Sequence, residues 1–196
     1  MINLDFDDDE TIFLKEIKIL QNESPVRNAK WGDIDDFNGV SGNYASTKIM
    51  KRGGKLIDTF NNCKVYQITR GDNCFSDYFL NEDFSASAFR YTKKDDIIIN
   101  ESVFQYVISP HGFCRDIVFN YYLKKICVKF VSGNVHTLKG EGFWKKLLEE
   151  AFTKNLNVDV LENNKIKIPI NTYNEALKYY SNYEHGLKYR FVINTK

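Results

Sequence analysis

The residues best suited to chemistry lie where predicted strands pass into helices. In SPHGFCR, Ser109 to Arg115, Pro110 ends strand pairing, Gly112 lets the backbone approach a ligand closely, and a helix is predicted to begin at about Phe113. The N–H groups at a helix N-terminus bind phosphate, and Arg115 would add a charge-assisted contact. SPHGFCR is therefore a candidate phosphate-binding loop, although its residues, taken alone, fit an ordinary strand–helix turn better.

A second candidate lies in FVSGNVHTLKGEGFW, Phe130 to Trp144. Ser132, Asn134 and His136 belong to a polar loop that leaves a predicted strand, where such side chains could orient a substrate by hydrogen bonds. Histidine titrates near neutral pH, so His136 is a candidate acid or base. The same residue types also serve turn chemistry, and Trp144 on the following helix is also explained by core packing.

A third candidate is Glu101, just ahead of the predicted central strand. Burial of a carboxyl group raises its pKa toward the range of a general base, while an exposed glutamate at a strand start is equally consistent with the sequence. His111 and His185, with scattered acidic residues, lack the spacing of metal ligands. No metal site is predicted.

Composition limits the classes of function. The 196 residues fit one domain, and 27 Lys+Arg against 26 Asp+Glu do not indicate nucleic-acid binding. The four cysteines form no Cys-x-x-Cys pair and are predicted to be buried free thiols. No apolar stretch is long enough to span a bilayer, and acidic residues rather than a signal-peptide pattern follow Met1. We therefore expect a reduced, cytoplasmic setting without membrane partners.

Periodicity predicts a mixed α/β sheet. An antiparallel meander of three or four strands is predicted for CKVYQITR, FSDYFLN, FSASAFRYT and INESVFQYVIS (Ile99 to Ser109). Helices are predicted for GFCRDIVFNYYLKK, KGEGFWKKLLEEAFTKN and TYNEALKYYSN, alternating with strands ICVKFVS, LNVDVLE and KYRFVIN. Residues Ser24 to Gly54 are predicted to be mostly loop, after a short helix in ETIFLKEIKILQNES.

The run from about Cys63 to Lys196 resembles the GNAT superfamily of acyl-CoA-dependent N-acetyltransferases, in a divergent form that is often phage-borne. SVFQYVISPHGFCRDIVFNYYLKK is similar to the family's central strand, cofactor loop and helix, and ICVKFVSGNVHTLKGEGFWKKL to the next strand, loop and helix. The resemblance implies an antiparallel N-terminal meander and a splayed central strand pair flanked by helices. Residues 61–196 would form the GNAT-like core, and residues 1–60 an N-terminal segment of the same domain.

The resemblance also implies a reaction, the attack of an amine acceptor on the thioester of acetyl-CoA or another acyl-CoA. Glu101, or His136 through a water, would remove the amine proton, with Ser132 beside them at the splay. The backbone of Val107 and Ile108 would polarise the carbonyl. The implied cofactor-binding residues are Val107, Ile108, Ser109, Gly112, Phe113, Cys114, Arg115, Asn134 and Trp144, with Asn134 on the pantetheine arm and Phe113 to Arg115 on the pyrophosphate.

Other interpretations remain open at this point. Many GNAT enzymes carry a tyrosine that acts as an acid, and the nearest positions in this chain are Phe143 and Trp144. Neither side chain can donate that proton, which favours an alternative: a catalytically degenerate GNAT-like protein that works by binding. Such a protein could be a phage or mobile-element factor that acts on a host protein. An unrelated α/β interaction protein is a third reading. The sequence does not specify whether the acceptor is a small molecule or a protein. Nor does it fix the oligomeric state, although a homodimer is compatible with the resemblance, since members of this fold commonly dimerise.

Overall fold

Nine strands form one mixed sheet in the computed structural model, which describes residues 37–106, 109–133, 138–163, 166–180 and 189–195. The strands are β1 (Lys55–Phe60), β2 (Cys63–Thr69), β3 (Cys74–Leu80), β4 (Ser85–Lys94), β5 (Ile97–Gln105), β6 (Lys129–Val131), β7 (Asn157–Glu162), β8 (Ile166–Ile170) and β9 (Tyr189–Asn194). The helices are α1 (Gly42–Lys51), α2 (Phe113–Asp116), which continues as a π-helical segment (Ile117–Ile126), α3 (Leu138–Thr153) and α4 (Tyr173–Leu177).

The strand order is β1-β2-β3-β4-β5-β6-β9-β7-β8. Strands β1 to β5 form an antiparallel meander, and β5 with β6 is the one parallel pair among the described strands. Strand β9, the last in the chain, inserts between β6 and β7. The predicted mixed α/β sheet with an antiparallel N-terminal meander is therefore confirmed.

The first face of the sheet packs against the π-helical segment and α3. Bonds that reach five residues back characterise a π-helix, and the Cys127 N–H closes the segment on the carbonyl of Tyr122 at 2.9 Å. Tyr122 stacks on Phe130 of β6, and Phe130 stacks on Trp144 of α3, with centroids 5.8 and 5.9 Å apart. These rings tie helix, sheet and second helix into one aromatic core.

A polar network lies inside this core around Asp77 of β3, which is buried. The hydroxyls of Tyr91 and Tyr122 each donate to Asp77 Oδ2 at 2.9 Å, and Gln67 Nε2 donates to Oδ1 at 2.9 Å. Burial raises the pKa of Asp77 from 3.8 to about 6, and the three donors oppose that rise. The network thus keeps a titratable group inside the core.

The second face carries α1 near one edge. Ala45 and Ile49, one helical turn apart, pack with Tyr66 and Tyr78 of the sheet. The side chain of Ser41 caps the helix by accepting from the N–H of Tyr44 at 3.3 Å. Helix α1 therefore contributes an apolar stripe that covers β2 and β3.

Gly42, the first residue of α1, allows this helix to dock. A Cβ at position 42 would lie 1.6 Å from the carbonyl oxygen of Asn81, a backbone atom that cannot rotate away. We expect Gly42→Ala to lower the free energy of unfolding by about 3 kcal/mol, measured by urea titration. Gly142→Ala is the matched control, because Gly142 is an exposed position of α3 with nothing within 4 Å of the added carbon. The free energy of unfolding of Gly142→Ala should rise by about 0.5–1 kcal/mol. An equal fall in this free energy for both variants would contradict the packing argument.

Several sequence predictions were wrong in the N-terminal part. The expected loop up to Gly54 contains α1, and β1 was not predicted, so the meander has five strands. Strand β8, near the other end of the chain, was not predicted either. Asn, Ser and Thr around Ala45 and Ile49 hid the helical period of α1. Strand β5 runs from Ile97 to Gln105 rather than from Ile99 to Ser109. The helix predicted in ETIFLKEIKILQNES lies outside the described residues.

The four cysteines are free and buried, as predicted. Burial raises the pKa of Cys63 to about 11 and those of Cys114 and Cys127 to about 12, so these three thiols remain protonated near neutral pH. No helix in the described part of the chain is long and apolar enough to cross a membrane. Within the same residues, no group of three or more His, Cys, Asp or Glu side chains could hold a metal ion.

Candidate active site between β5 and β6

The parallel strands β5 and β6 pair over only three residues each in the described part of the chain. Ile97–Ile99 of β5 pairs with Lys129–Val131 of β6, and no further pairs join the two strands in the described residues. Strand β5 continues to Gln105 and from Asn100 onward pairs with β4 alone. Among the described strands, β5 therefore continues for six residues beyond its last pair with β6.

A β-bulge places Glu101 just beyond the last residue of β5 that pairs with β6. Arg90 of β4 is opposite Ser102, and Tyr91 is opposite Asn100, so Glu101 is the extra residue of β5. The hydroxyl of Thr92 donates to Glu101 Oε1 at 2.8 Å. This hydrogen bond directs the carboxylate toward the second face of the sheet.

Gly133, just after β6, touches β5 at the same point. A Cβ on Gly133 would lie 2.9 Å from the carbonyl oxygen of Asn100 and 3.5 Å from that of Glu101. A larger residue at position 133 would push the chain that follows β6 away from β5. The glycine therefore allows β5 and β6 to meet at the bulge.

Ser132 holds the end of β6 onto β9. Its buried hydroxyl accepts from the N–H of Phe191 at 3.0 Å and donates to the carbonyl of Gly133 at 3.3 Å. The neighbouring Arg190, 2% exposed, donates from Nη1 to the carbonyl of Ser132 at 3.3 Å. The contacts seen for Ser132 thus fix the strand end, and the catalytic role expected for it stays a prediction.

Arg190 brings a buried positive charge to the site. Burial lowers the pKa of its guanidinium to about 10, and the nearby Glu101 charge opposes that fall. Arg190 therefore remains a cation at neutral pH, within electrostatic reach of Glu101. The sequence did not single it out, although an arginine between apolar residues in KYRFVIN is a detectable signal of a buried polar position.

The loop after β5 turns the chain into α2. Ser109 N–H donates to the carbonyl of Tyr106 at 3.0 Å, and Gly112 has φ +81°, which a glycine adopts without strain. Arg115 lies over this glycine and forms an ion pair with Glu150 of α3, with Nη1 and Oε2 3.5 Å apart. The loop is thus joined to α3 by a partly exposed ion pair.

The other predicted binding residues differ in exposure. Phe113 and Cys114 are buried, and the ring of Phe113 packs against Phe60 and Phe79. Trp144 is 2% exposed, with its indole stacked in the core on Phe130. Only their backbone groups remain suited to a ligand. Four further predicted site residues lie outside the described residues: Val107, Ile108, Asn134 and His136.

A separate groove of about 540 Å³ lies near the β8 edge of the sheet, beside the C-terminal end of α3. Asp159 and Lys167 lie on its wall, with Oδ2 and Nζ 3.7 Å apart. None of the candidate site residues lines it, so its shape has no bearing on the site at the bulge.

The chemistry available at the bulge is that of a carboxylate held on a strand edge just beyond the paired part of β6, with a buried cation nearby. Such a site can take a proton from a nucleophile while the strand edge holds an extended ligand. Comparisons with protein-family models, with curated proteins and with solved structures find no match to this chain.

Proposed function

We propose that the chain is an acyl-CoA-dependent N-acyltransferase of the GNAT type, which transfers an acetyl or other acyl group to an amine. The observation that supports the proposal is that the parallel pairing of β5 with β6 ends at Ile99, next to the bulged Glu101. A splayed parallel pair with a cofactor loop after its first strand is the arrangement expected from the resemblance.

The edge of β5 opposite β4 suits the pantetheine arm of the donor. That arm is extended and carries two amide groups, which can hydrogen-bond to a strand edge as a further strand would. The edge from Asn100 to Gln105 is about 20 Å long at roughly 3.4 Å per residue. Its length therefore fits the extended arm of an acyl-CoA.

The loop at Gly112 follows this edge and is the expected position of the pyrophosphate. Arg115 is partly exposed there, and a pyrophosphate would compete with Glu150 for its guanidinium. Cys114 and Phe113 would contribute backbone rather than side-chain contacts, because their side chains are buried.

The donor supplies an activated thioester carbonyl. In the transfer, the amine nitrogen bonds to the acyl carbon, the C–S bond breaks, and the sulfur leaves as a thiolate. Glu101 accepts the proton released from nitrogen, and Thr92 fixes the orientation of its carboxylate. The thiolate needs little assistance in leaving, because thiols have a pKa of about 8.5.

A second candidate function, binding without catalysis, is favoured by Trp144. The resemblance places the tyrosine acid of many GNAT enzymes near this position, and here the indole stacks on Phe130 in the core. A chain of this kind would bind acyl-CoA or a protein partner without turning over. With either function, we propose that the protein acts in the cytoplasm and can form a homodimer.

Hydrogen exchange with and without acetyl-CoA tests the proposal. We expect saturable protection of the backbone amides of Asn100 to Gln105 and of Gly112 to Arg115. CoA release then separates the two candidates, because only the enzyme forms free thiol in the presence of an amine. Absence of protection at millimolar acetyl-CoA would overturn the acyl-CoA assignment.

A pair of glycine variants locates the binding loop. Gly112 and Gly39 both have positive φ, +81° and +73°, so Gly112→Trp and Gly39→Trp carry a similar backbone strain. We expect Gly112→Trp to weaken acetyl-CoA binding at least about tenfold, because its side chain blocks the phosphate loop. Gly39→Trp should bind as the wild type does, and equal loss in both would argue against this loop.

A further inference from the structure

A band of polar side chains crosses the second face of the sheet between two hydrophobic clusters. The cluster under α1 lies on one side, and a cluster of Ile97, Ile99, Val131, Leu161 and Val192 lies on the other. Ser76, Arg90 and Ser102 are consecutive cross-strand neighbours on β3, β4 and β5. The band thus leads directly to Ser102, the residue after Glu101.

Arg90 is the unusual member of this band. Its side chain is buried, with 6% of the residue exposed, and neither Nε nor Nη2 has a hydrogen-bond partner in the described part of the structure. Ser76 is directly opposite Arg90, but its hydroxyl accepts from Arg70 Nε at 3.4 Å. The buried hydroxyl of Ser102 also has no partner among the described residues.

A buried guanidinium without an anion is unfavourable, because the lost hydration is not replaced. Nε and Nη2 lie on the same edge of the guanidinium and form a fork that matches the two oxygens of a carboxylate. The unpartnered atoms of Arg90 are therefore the two that a carboxylate would occupy, and Ser102 could donate a further hydrogen bond.

The surrounding charges favour an anion as well. Arg190 is buried near Glu101, and Arg70 lies in the same band as Arg90. In the part of the chain that the structure describes, Arg70, Arg90 and Arg190 lie in or beside the band, and Glu101 is the carboxylate next to Ser102. A ligand with an amine at Glu101 and a carboxylate at Arg90 would satisfy both ends of the site.

We propose that the acceptor is an amine that also carries a carboxylate, of the amino-acid class, and that Arg90 binds this carboxylate through Nε and Nη2 with Ser102. The identity of the ligand as an acceptor rests on the acyltransferase function proposed above. The anion site at Arg90 does not depend on that function and can be measured without acyl-CoA.

The first test follows the Nε–H NMR signal of Arg90 during titration with acetate, with acetamide and sodium chloride as matched probes. We expect a saturable shift with acetate and none with either control. Arg90→Lys keeps the charge but loses the fork, so acetate should bind at least about tenfold more weakly to that variant. A signal unmoved by acetate over the millimolar range would overturn the site.

Arg90→Met provides a second measurement that does not need a ligand. Removing an unpaired buried cation should leave the melting temperature of the ligand-free protein unchanged or higher, and should abolish its rise with acetate. Arg70→Met is the matched control, because Arg70 donates to Ser76 and, at 3.2 Å, to the hydroxyl of Tyr78. That variant should melt lower, and an equal fall for Arg90→Met would show a structural role and overturn the proposal.

The two proposals fail in different ways. Acetate binding at Arg90 without acetyl-CoA binding would remove the acyltransferase function and retain the anion site. Acetyl-CoA binding without an acetate response would retain the acyltransferase function and remove the anion site at Arg90. Where both bind, CoA release with glycine, compared with glycinamide, tests the acceptor class. Faster release with glycine, lost in Arg90→Met, supports it, and equal rates overturn it.

Discussion

Glu101→Gln is expected to slow acyl transfer by roughly 10²–10⁴-fold while leaving acetyl-CoA binding unchanged. Glutamine has the same shape and still offers an oxygen to the hydroxyl of Thr92, which donates to Glu101 at 2.8 Å. The variant therefore keeps the bulge and loses only the group that accepts the amine proton. A fall in turnover without a change in donor affinity is the signature of a base rather than of a binding residue.

The rate is measured as CoA thiol release from acetyl-CoA in the presence of carboxylate-bearing amines, and the affinity as acetyl-CoA binding at equilibrium. Glu82→Gln is the matched control, because Glu82 is exposed and pairs only loosely with Lys64, at 3.8 Å. It should retain the wild-type rate. Full activity in Glu101→Gln would show that the base is another group and would remove the central role assigned to the bulge.

Regular alternation made much of the sheet predictable. Strands β2, β3, β4, β7 and β9 were all located from their sequences, and the helix predicted in TYNEALKYYSN is α4, which Thr172 caps by accepting from the N–H of Glu175 at 3.2 Å. Strand β1 was not predicted, because it is an exposed edge strand in which the adjacent residues Leu56 and Ile57 both face solvent. An edge strand without a buried face has no period to detect.

The candidate site was predictable in part. Glu101 was chosen from its position before a central strand, but no sequence pattern predicted the bulge that turns its carboxylate toward Thr92. Arg90 and Arg190 were not predicted as site residues, because the patterns of FSASAFRYT and KYRFVIN predict strands without indicating that a charged side chain is buried. A charged residue within a strand as apolar as FSASAFRYT or KYRFVIN indicates a candidate site as strongly as a loop histidine does, since burial of a charge is costly.

Asp77 is a buried ionisable residue of the same kind, and it should make the stability of the fold depend strongly on pH. Its pKa is raised from 3.8 to about 6, so the folded state holds a proton that the unfolded chain releases at lower pH. The free energy of unfolding should therefore fall as the pH rises from about 4 to about 6 and should remain level above that. A rise of about two pKa units corresponds to a loss of about 3 kcal/mol.

Asp77→Asn removes the titration but keeps the size of the side chain. Relative to wild type, its unfolding free energy should rise by about 3 kcal/mol between pH 4 and pH 7, measured by urea titration at each pH. Tyr122→Phe tests the cause, because it removes one donor to Oδ2 and should shift the wild-type fall toward higher pH.

Asp58→Asn separates this effect from the general titration of carboxylates. The pKa of Asp58 is lowered, mainly by the N–H of Thr59, so its ionisation stabilises the fold and is lost only as the pH falls below 3.8. Between pH 4 and pH 7 this variant should keep the wild-type slope. If Asp77→Asn also keeps that slope, then the buried carboxyl is ionised throughout the range, and the hydroxyls of Tyr91 and Tyr122 with the amide of Gln67 outweigh its burial.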